Sequence, residues 1–260
     1  MDQRSAYLAA YDEQLRGAAE IPNAVSTTRL GPLYLARFRS GRGFVGYRDL
    51  AGADAATIAG WVGEVVEHFA DPPVNDLEWK TRGHDDAPGL HDALLAHGFV
   101  PEEQESVMVG EARLLTEAVE LPAGVRLRAV TEEGDVRAAS AVADRIFGDP
   151  VSTHRADSVL RSLAGGSQLW VAEADGEIVS TGRIEPVPGT EFAGLWGGVT
   201  VPQWRGRGVY RALTAARARA ALDLGKRLLN SDSTQFSRPI LERSGLVKVT
   251  TTTPYQRGAS

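Results

Sequence analysis

The stretch with chemistry in it is GLWGGVTVPQWRGRGVYRALTAARARAALDLG, residues 194–225. An apolar strand ends at Val199-Thr200-Val201. A tight turn follows at Pro202–Gly208, holding Gln203, Trp204, Arg205, Gly206, Arg207 and Gly208. Behind it runs a helix of Ala, Arg and Leu, all strong helix formers. A helix start leaves its first N–H groups without partners and carries partial positive charge. Gly206 and Gly208 allow close backbone approach and positive φ. Arg205, Arg207 and Arg211 add full charges beside those amides. Together they read as a site for a phosphate or pyrophosphate. The turn lacks the G-x-x-x-x-G-K-[ST] of a Walker A loop. It also lacks a dinucleotide fingerprint, whose third Gly would fall at Arg211.

The rest of the composition narrows the chemistry. The chain has 260 residues, of which 43% are hydrophobic and 24% charged, as in an ordinary globular protein. It contains no Cys, which excludes disulfides, thiolate metal sites and a cysteine nucleophile. Its net charge of -6 argues against nucleic acid or an anionic membrane as partner, so the arginines of the turn are a local exception. The five His residues (68, 84, 91, 97, 154) are scattered, and no metal site is expected. No Ser has a His and Asp at recognisable spacing, so a hydrolase triad is not supported. No signal peptide and no apolar run of about 20 residues is visible, so a cytoplasmic location is the expectation.

Periodicity supplies the elements that must hold the turn. In the second half, a strand at 125–130 leads to helices at about 133–147 and 154–164. Strands follow at Leu169–Glu173, Ile178–Glu185 and Phe192–Val201, with an Asp175-Gly176 hairpin turn between the first two. The Val209–Leu224 helix ends on Gly225. A strand at Arg227–Ser231, a helix near 237–244 and a strand at Val247–Thr253 close the order. In the first half, a helix is expected at 5–18, strands at Leu33–Phe38 and Phe44–Tyr47, and a helix at Ala53–Phe69. A strand at Leu77–Thr81, a helix at Pro88–His97 and a strand at Ser106–Glu111 complete it.

Both halves end alike. LLAHGF and LERSGL align with Gly98 on Gly245, Leu94 on Leu241 and Phe99 on Leu246. The expectation is a tandem of related units, 1–118 and 119–260, the first degenerate because it has no counterpart of the glycine turn.

The second half resembles the GNAT superfamily of acyl-CoA-dependent N-acetyltransferases. Its motif A, Q/R-x-x-G-x-G/A after a strand and opening a helix, is matched by Gln203, Gly206 and Gly208. Thr200-Val201-Pro202 stands where V-x-P usually ends the strand. The resemblance implies a mixed-sheet α/β (α+β) GNAT-like fold and acetyl-CoA as donor cosubstrate. It implies that main-chain amides from Arg205 through Gly206, Arg207, Gly208 and Val209 to Tyr210 bind the pyrophosphate. The backbone of Val199 and Val201 would pair with the pantetheine arm, in a gap where this strand splays from Arg227–Ser231. Gly197-Gly198 would form a bulge there. The implied partner is a small-molecule or peptide amine; the assembly is left open, a homodimer included.

The chain also departs from that family. Its usual N-x-x-A-x-x-x-Y-x-x-x-G-F finds Thr234, Ser237, Leu241 and Leu246 in place of Asn, Ala, Tyr and Phe. Leu241 cannot protonate a leaving thiolate; Ser237 or water would have to. Glu185, Glu191 and Asp232 are candidate bases, each with a solvated or capping role as its plainer reading. Trp196 is a candidate for the acceptor groove. Trp204 would cover the adenine or pack under the helix. His154, Arg155 and Asp157 lie where the two helices meet, a region that shapes acceptor choice in this family. Two rivals to transfer remain: a silent acyl-CoA-binding module, and an anion or nucleic-acid surface built from Arg205, Arg207, Arg211, Arg217 and Arg219.

Overall fold

Asp2 opens the first element, its carboxylate accepting from Ser5 N–H at 2.7 Å to cap α1 (Gln3–Leu15). The computed structural model describes residues 2–258. After α1 come β1 (Ser26–Leu30), β2 (Leu33–Arg37), β3 (Arg42–Gly46), α2 (Ala55–Ala70) and β4 (Asp76–Arg82). Then follow α3 (Leu90–Ala96), β5 (Val100–Pro101) and β6 (Glu105–Glu111). The second half holds β7 (Val125–Val130), α4 (Glu133–Phe147), α5 (Thr153–Ala164), β8 (Gln168–Ala174), β9 (Glu177–Pro186) and β10 (Phe192–Thr200). It closes with α6 (Val209–Asp223), β11 (Leu228–Ser233), α7 (Arg238–Arg243) and β12 (Val247–Gly258). From β7 to β12 this is the element order expected from the sequence; in the first half β1 and β5 are additions to it. No helix among the described residues is long and apolar enough to cross a membrane.

The chain divides into two units, though not at the expected 118/119 break. The first runs to Val107 and adds Ser233–Gln235 and the residues from Lys248 on; the second holds Met108–Asp232 and Phe236–Val247. The reason is strand pairing. β12 lies antiparallel to β4, from Thr252 on Arg82 to Gly258 on Asp76, so the last strand of the sequence completes the first unit's sheet. That pairing also carries β12 past the expected end at Thr253.

In the first unit the strand order is β1-β2-β3-β4-β12. Ile58, Val62, Val65 and Phe69 form one face of α2 and are buried with Leu77 and Trp79. Each such side chain contributes about 1.5–3 kcal/mol by burial. β1 escaped the periodicity reading because its residues, STTRL, lie almost wholly exposed and carry no alternation. β3 and β4 are parallel, joined across α2, and Asp54 caps that helix by accepting from Thr57 N–H at 2.8 Å.

In the second unit the order is β7-β8-β9-β10-β11, with β6 beside β11. Here too a parallel pair, β10 and β11, is joined across a helix, α6. Ala193 and Leu195 of β10 and Leu229 of β11 pack with Ala218 and Ala221 of α6, and Leu241 and Leu246 join them. Leu241 is thus a core residue, 1% exposed, at the place where the family often has its tyrosine.

Candidate functional site: a strand bulge, a glycine turn and a helix start

β10 is built to break its own regularity. Trp196 pairs with Arg183, but the next rung joins Val199 to Thr181, so Gly197 and Gly198 stand against Gly182 alone. This two-against-one step is a β-bulge, and Gly197 has φ +59°. On its other edge β10 pairs with β11 only from Phe192–Leu228 to Gly194–Asn230, although both strands continue. Ser231 Oγ donates to Leu195 O at 3.1 Å; beyond it the rungs stop. The expected splay is therefore present. Asn230, on the last rung, has a buried Oδ1 with no donor among the described residues.

The bulge also sets which peptide groups face the gap. Val201 N–H donates to Val179 O at 2.9 Å, and Val199 O accepts from Ser180 Oγ at 2.6 Å. Both groups are engaged on the β9 side, which corrects the expectation that Val199 and Val201 face a pantetheine arm. The extra residue inverts the alternation, so Thr200 has the outward peptide. Its carbonyl accepts from Arg205 Nε at 3.0 Å.

The turn itself begins with a single 3₁₀ turn, Pro202–Trp204. Arg205 N–H donates to Pro202 O at 3.2 Å, so this amide is not open to a ligand, a second correction. From Gly206 the backbone changes hand: φ is +71° at Gly206 and +81° at Gly208, values only glycine adopts without strain. Gly208 caps α6 with no side-chain bond, and the first helical bond is Ala212 N–H to Gly208 O at 2.9 Å. Among the described residues no acceptor meets the N–H groups from Gly206 to Arg211. A Cβ on Gly206 would meet nothing within 4 Å, so the hollow is open. Arg207 stacks its guanidinium 5.1 Å from the Trp204 ring centre, and Trp204 packs against Val209 and its neighbours under the helix. Gln203, Arg207 and Arg211 are exposed. Unpaired amides, a helix dipole and arginines on one open turn make an anion cradle.

Arg217 lies inside the unit, 1% exposed. It donates to Leu213 O (3.4 Å), Arg183 O (3.2 Å) and Thr214 Oγ1 (3.1 Å), and no carboxylate pairs with it among the described residues. Burial pushes its pKa below the usual arginine value, with the Tyr210 hydroxyl pulling the other way. Arg219 donates to Thr116 O at 2.8 Å. A contact surface of Arg205, Arg207, Arg211, Arg217 and Arg219 is thereby overturned, because Arg217 faces no solvent.

The catalytic candidates separate. Residues paired across rungs share a face. Glu185, Gly194 and Asn230 therefore lie in a row across β9, β10 and β11, opposite α6, and Asp232 shares that face by period two. Trp196 folds back over Gly194, where a Cβ would collide with the indole. Glu191 belongs elsewhere: it precedes β10 at the end away from the turn and pairs with Arg227. Ser237 starts α7, its carbonyl taking Ile240 N–H at 3.1 Å. Thr234 falls in the short segment that groups with the first unit.

A cavity of about 480 Å³ opens beside this face, between the α4–α5 connection and β9. Asp144, Asp149, Ser152, His154, Arg155 and Arg183 line it. Arg155 bonds Asp144 and Asp149. The Arg155 hydrogen bond holds the buried Asp144 carboxyl below its usual range, outweighing desolvation, with help from Ser152 N–H. Arg183 Nε donates to Glu185 Oε1 at 2.7 Å, and its Nη1 comes 3.1 Å from where a Cβ on Gly197 would sit. Asp157, expected with this group, instead pairs with Arg137 at 3.2 Å. Sequence reasoning missed Arg183, Asp144 and Asn230, since an isolated charge or amide within a strand or helix has no spacing signal, and it placed Arg217 on the surface.

Residues 138–244 match the family model described as "Acetyltransferase (GNAT) family". No curated protein matches the sequence. Among solved structures, a GCN5-related N-acetyltransferase from Kribbella flavida is 17% identical, covering 99% of this chain and 96% of that one at TM-score 0.68. A GCN5-related N-acetyltransferase from Sphaerobacter thermophilus is 19% identical, with 87% and 76% covered and TM-score 0.64. A tandem GNAT protein from the clavulanic acid biosynthesis pathway is 14% identical, with 99% and 96% covered and TM-score 0.63. At these identities the likeness is one of fold. Residues 138–244 thus match the GNAT acetyltransferase family model, and the chain has a fold that solved GNAT proteins share along nearly its whole length.

Proposed function

We propose that the second unit transfers the acetyl group of acetyl-CoA to an amine. The observation that carries this is the run of unpaired N–H groups from Gly206 to Arg211, opened by positive φ at Gly206 and Gly208. A pyrophosphate settles there, with Arg207 and Arg211 alongside. The pantetheine arm enters the gap between β10 and β11. Thr200 carries the peptide edge facing it, and Asn230 Oδ1 is an acceptor waiting for an N–H. These features fit the donor. In the first unit the helix that joins the parallel strand pair, α2, is instead closed by the Asp54 carboxylate, which would repel an anion.

With no Cys in the chain, transfer is direct. The amine nitrogen attacks the thioester carbonyl carbon, the C–N bond forms, and the carbonyl oxygen takes the negative charge. Main-chain N–H groups at the bulge stabilise it. Collapse breaks the C–S bond; the thiolate takes up a proton and the nitrogen loses one. Glu185 or Asp232, on the acceptor face, serves as base. Leu241 is core, so water or Ser237 returns the proton to sulfur. Positioning in the gap supplies much of the rate.

The buried Leu241 favours one second reading, a silent acyl-CoA-binding module. Calorimetric titration of CoA into the full chain tests both, with Gly206→Glu as control, because its carboxylate would fill the hollow. Wild-type binding lost in the folded variant supports the site, and equal affinity overturns it. Thiol release across an amine panel then separates transferase from silent binder.

A further inference from the structure

We infer that the cavity beside the bulge takes a small amine that also carries an oxyanion, a carboxylate or a phosphate. This rests on the acetyl-transfer reading for its chemistry, but the cavity's own polarity carries it. Its acids are already engaged. Asp144 is 2% exposed and holds Arg155 Nε and Ser152 N–H, and Asp149 holds Arg155 Nη2. Its bases are not. Arg183 uses Nε on Glu185, while Nη1 and Nη2, the terminal fork of the guanidinium, have no partner among the described residues. His154 and Ser158 add further polar groups on the wall. A fork with two parallel N–H groups fits a carboxylate or phosphate in bidentate fashion.

Position adds a second constraint. Arg183 Nη1 stands 3.1 Å from where a Gly197 Cβ would be, at the bulge itself. With the thioester carbonyl held at the bulge, as the acetyl-transfer reading has it, an oxyanion on that fork lies within a few bonds of the reacting carbon. The amine must therefore be separated from its acidic group by only a short spacer, as in an amino acid or a phosphoalkylamine. A volume of about 480 Å³ accommodates such a molecule whole. A bare alkylamine would leave the fork unmet.

Saturation-transfer NMR on the full chain, with and without CoA, tests this using glycine, β-alanine, phosphoethanolamine and ethylamine as probes. Transfer to at least one oxyanion-bearing amine and none to ethylamine is expected. Carboxylate against phosphate probes then identify which oxyanion is preferred. Arg183→Met should weaken the preferred probe roughly 10- to 100-fold, the usual effect of losing a charge-assisted bond. Arg183→Lys, which keeps the charge and loses the fork, should fall between. Glu185→Gln should retain or strengthen binding. Ethylamine binding as well as the others, no binding by any oxyanion probe, or undiminished binding by folded Arg183→Met would each overturn the proposal. A chain that ignores CoA yet binds these amines through Arg183 would refute acetyl transfer and leave the cavity assignment standing.

Discussion

Arg217 occupies the space that a side chain on Gly182 would need: a Cβ there would lie 2.6 Å from Nη1 and 2.8 Å from Cζ. Gly198, in the bulge, is constrained the same way, with Tyr210 at 3.0 Å and Arg217 Nη2 at 3.4 Å. The glycines and the arginine therefore form one fitted unit beneath the bulge. Gly182→Ala should destabilise the chain by about 1–3 kcal/mol, because the guanidinium is walled in and cannot yield. Arg217→Met alone should cost little or even stabilise, since it removes a buried cation without a carboxylate partner. Combined, the two should cost less than their sum, a coupling of about 1 kcal/mol or more in a double-mutant cycle read by urea unfolding. Strict additivity would show that arginine and glycine do not compete for that space.

The contrast between the two helix starts gives the next expectation. Asp54 closes α2 with its own carboxylate, while Gly208 leaves α6 open. Asp54→Ala should lower stability by about 1 kcal/mol. It should leave CoA affinity unchanged when measured by calorimetry. A fall in affinity would mean that the first unit takes part in binding the donor.

Much of this was legible in the sequence, and the limits are physical. The turn was readable because two glycines at fixed spacing between a strand and a helix have few other uses. The α2 stripe from Ile58 to Phe69 declared its buried face by period. The β12 exchange was not readable: pairing of Thr252–Gly258 with β4 is a non-local choice that no local pattern encodes. Nor was the outward edge of β10. Glycines at 197 and 198 foretold a bulge, but which peptides then face the gap depends on how many residues the partner strand contributes. Arg217 looked like a surface arginine in an Ala/Arg helix, and only Gly182 across the sheet shows that it points inward.

Asp144 supplies the acid-sensitive element of the acceptor side. Its carboxyl is held low first by the Arg155 hydrogen bond and then by Ser152 N–H and the Arg155 charge, against desolvation. A carboxyl whose folded pKa lies below its unfolded value stabilises the chain above the unfolded value, near 3.9, and loses that contribution as pH falls through the folded one. The stability gap between wild type and Asp144→Asn should therefore be widest near neutral pH and narrow steadily below about pH 4. The α4–α5 connection should loosen over the same range, because Ser152 N–H loses its charged acceptor while Arg155 loses one of its two charged partners. Denaturant unfolding of both proteins across that range measures the gap, and amide exchange at Ser152 reports the local part. A gap that stays constant from neutral to acid pH would mean that Asp144 keeps its ordinary pKa, and that Arg155 owes its place to Asp149 instead.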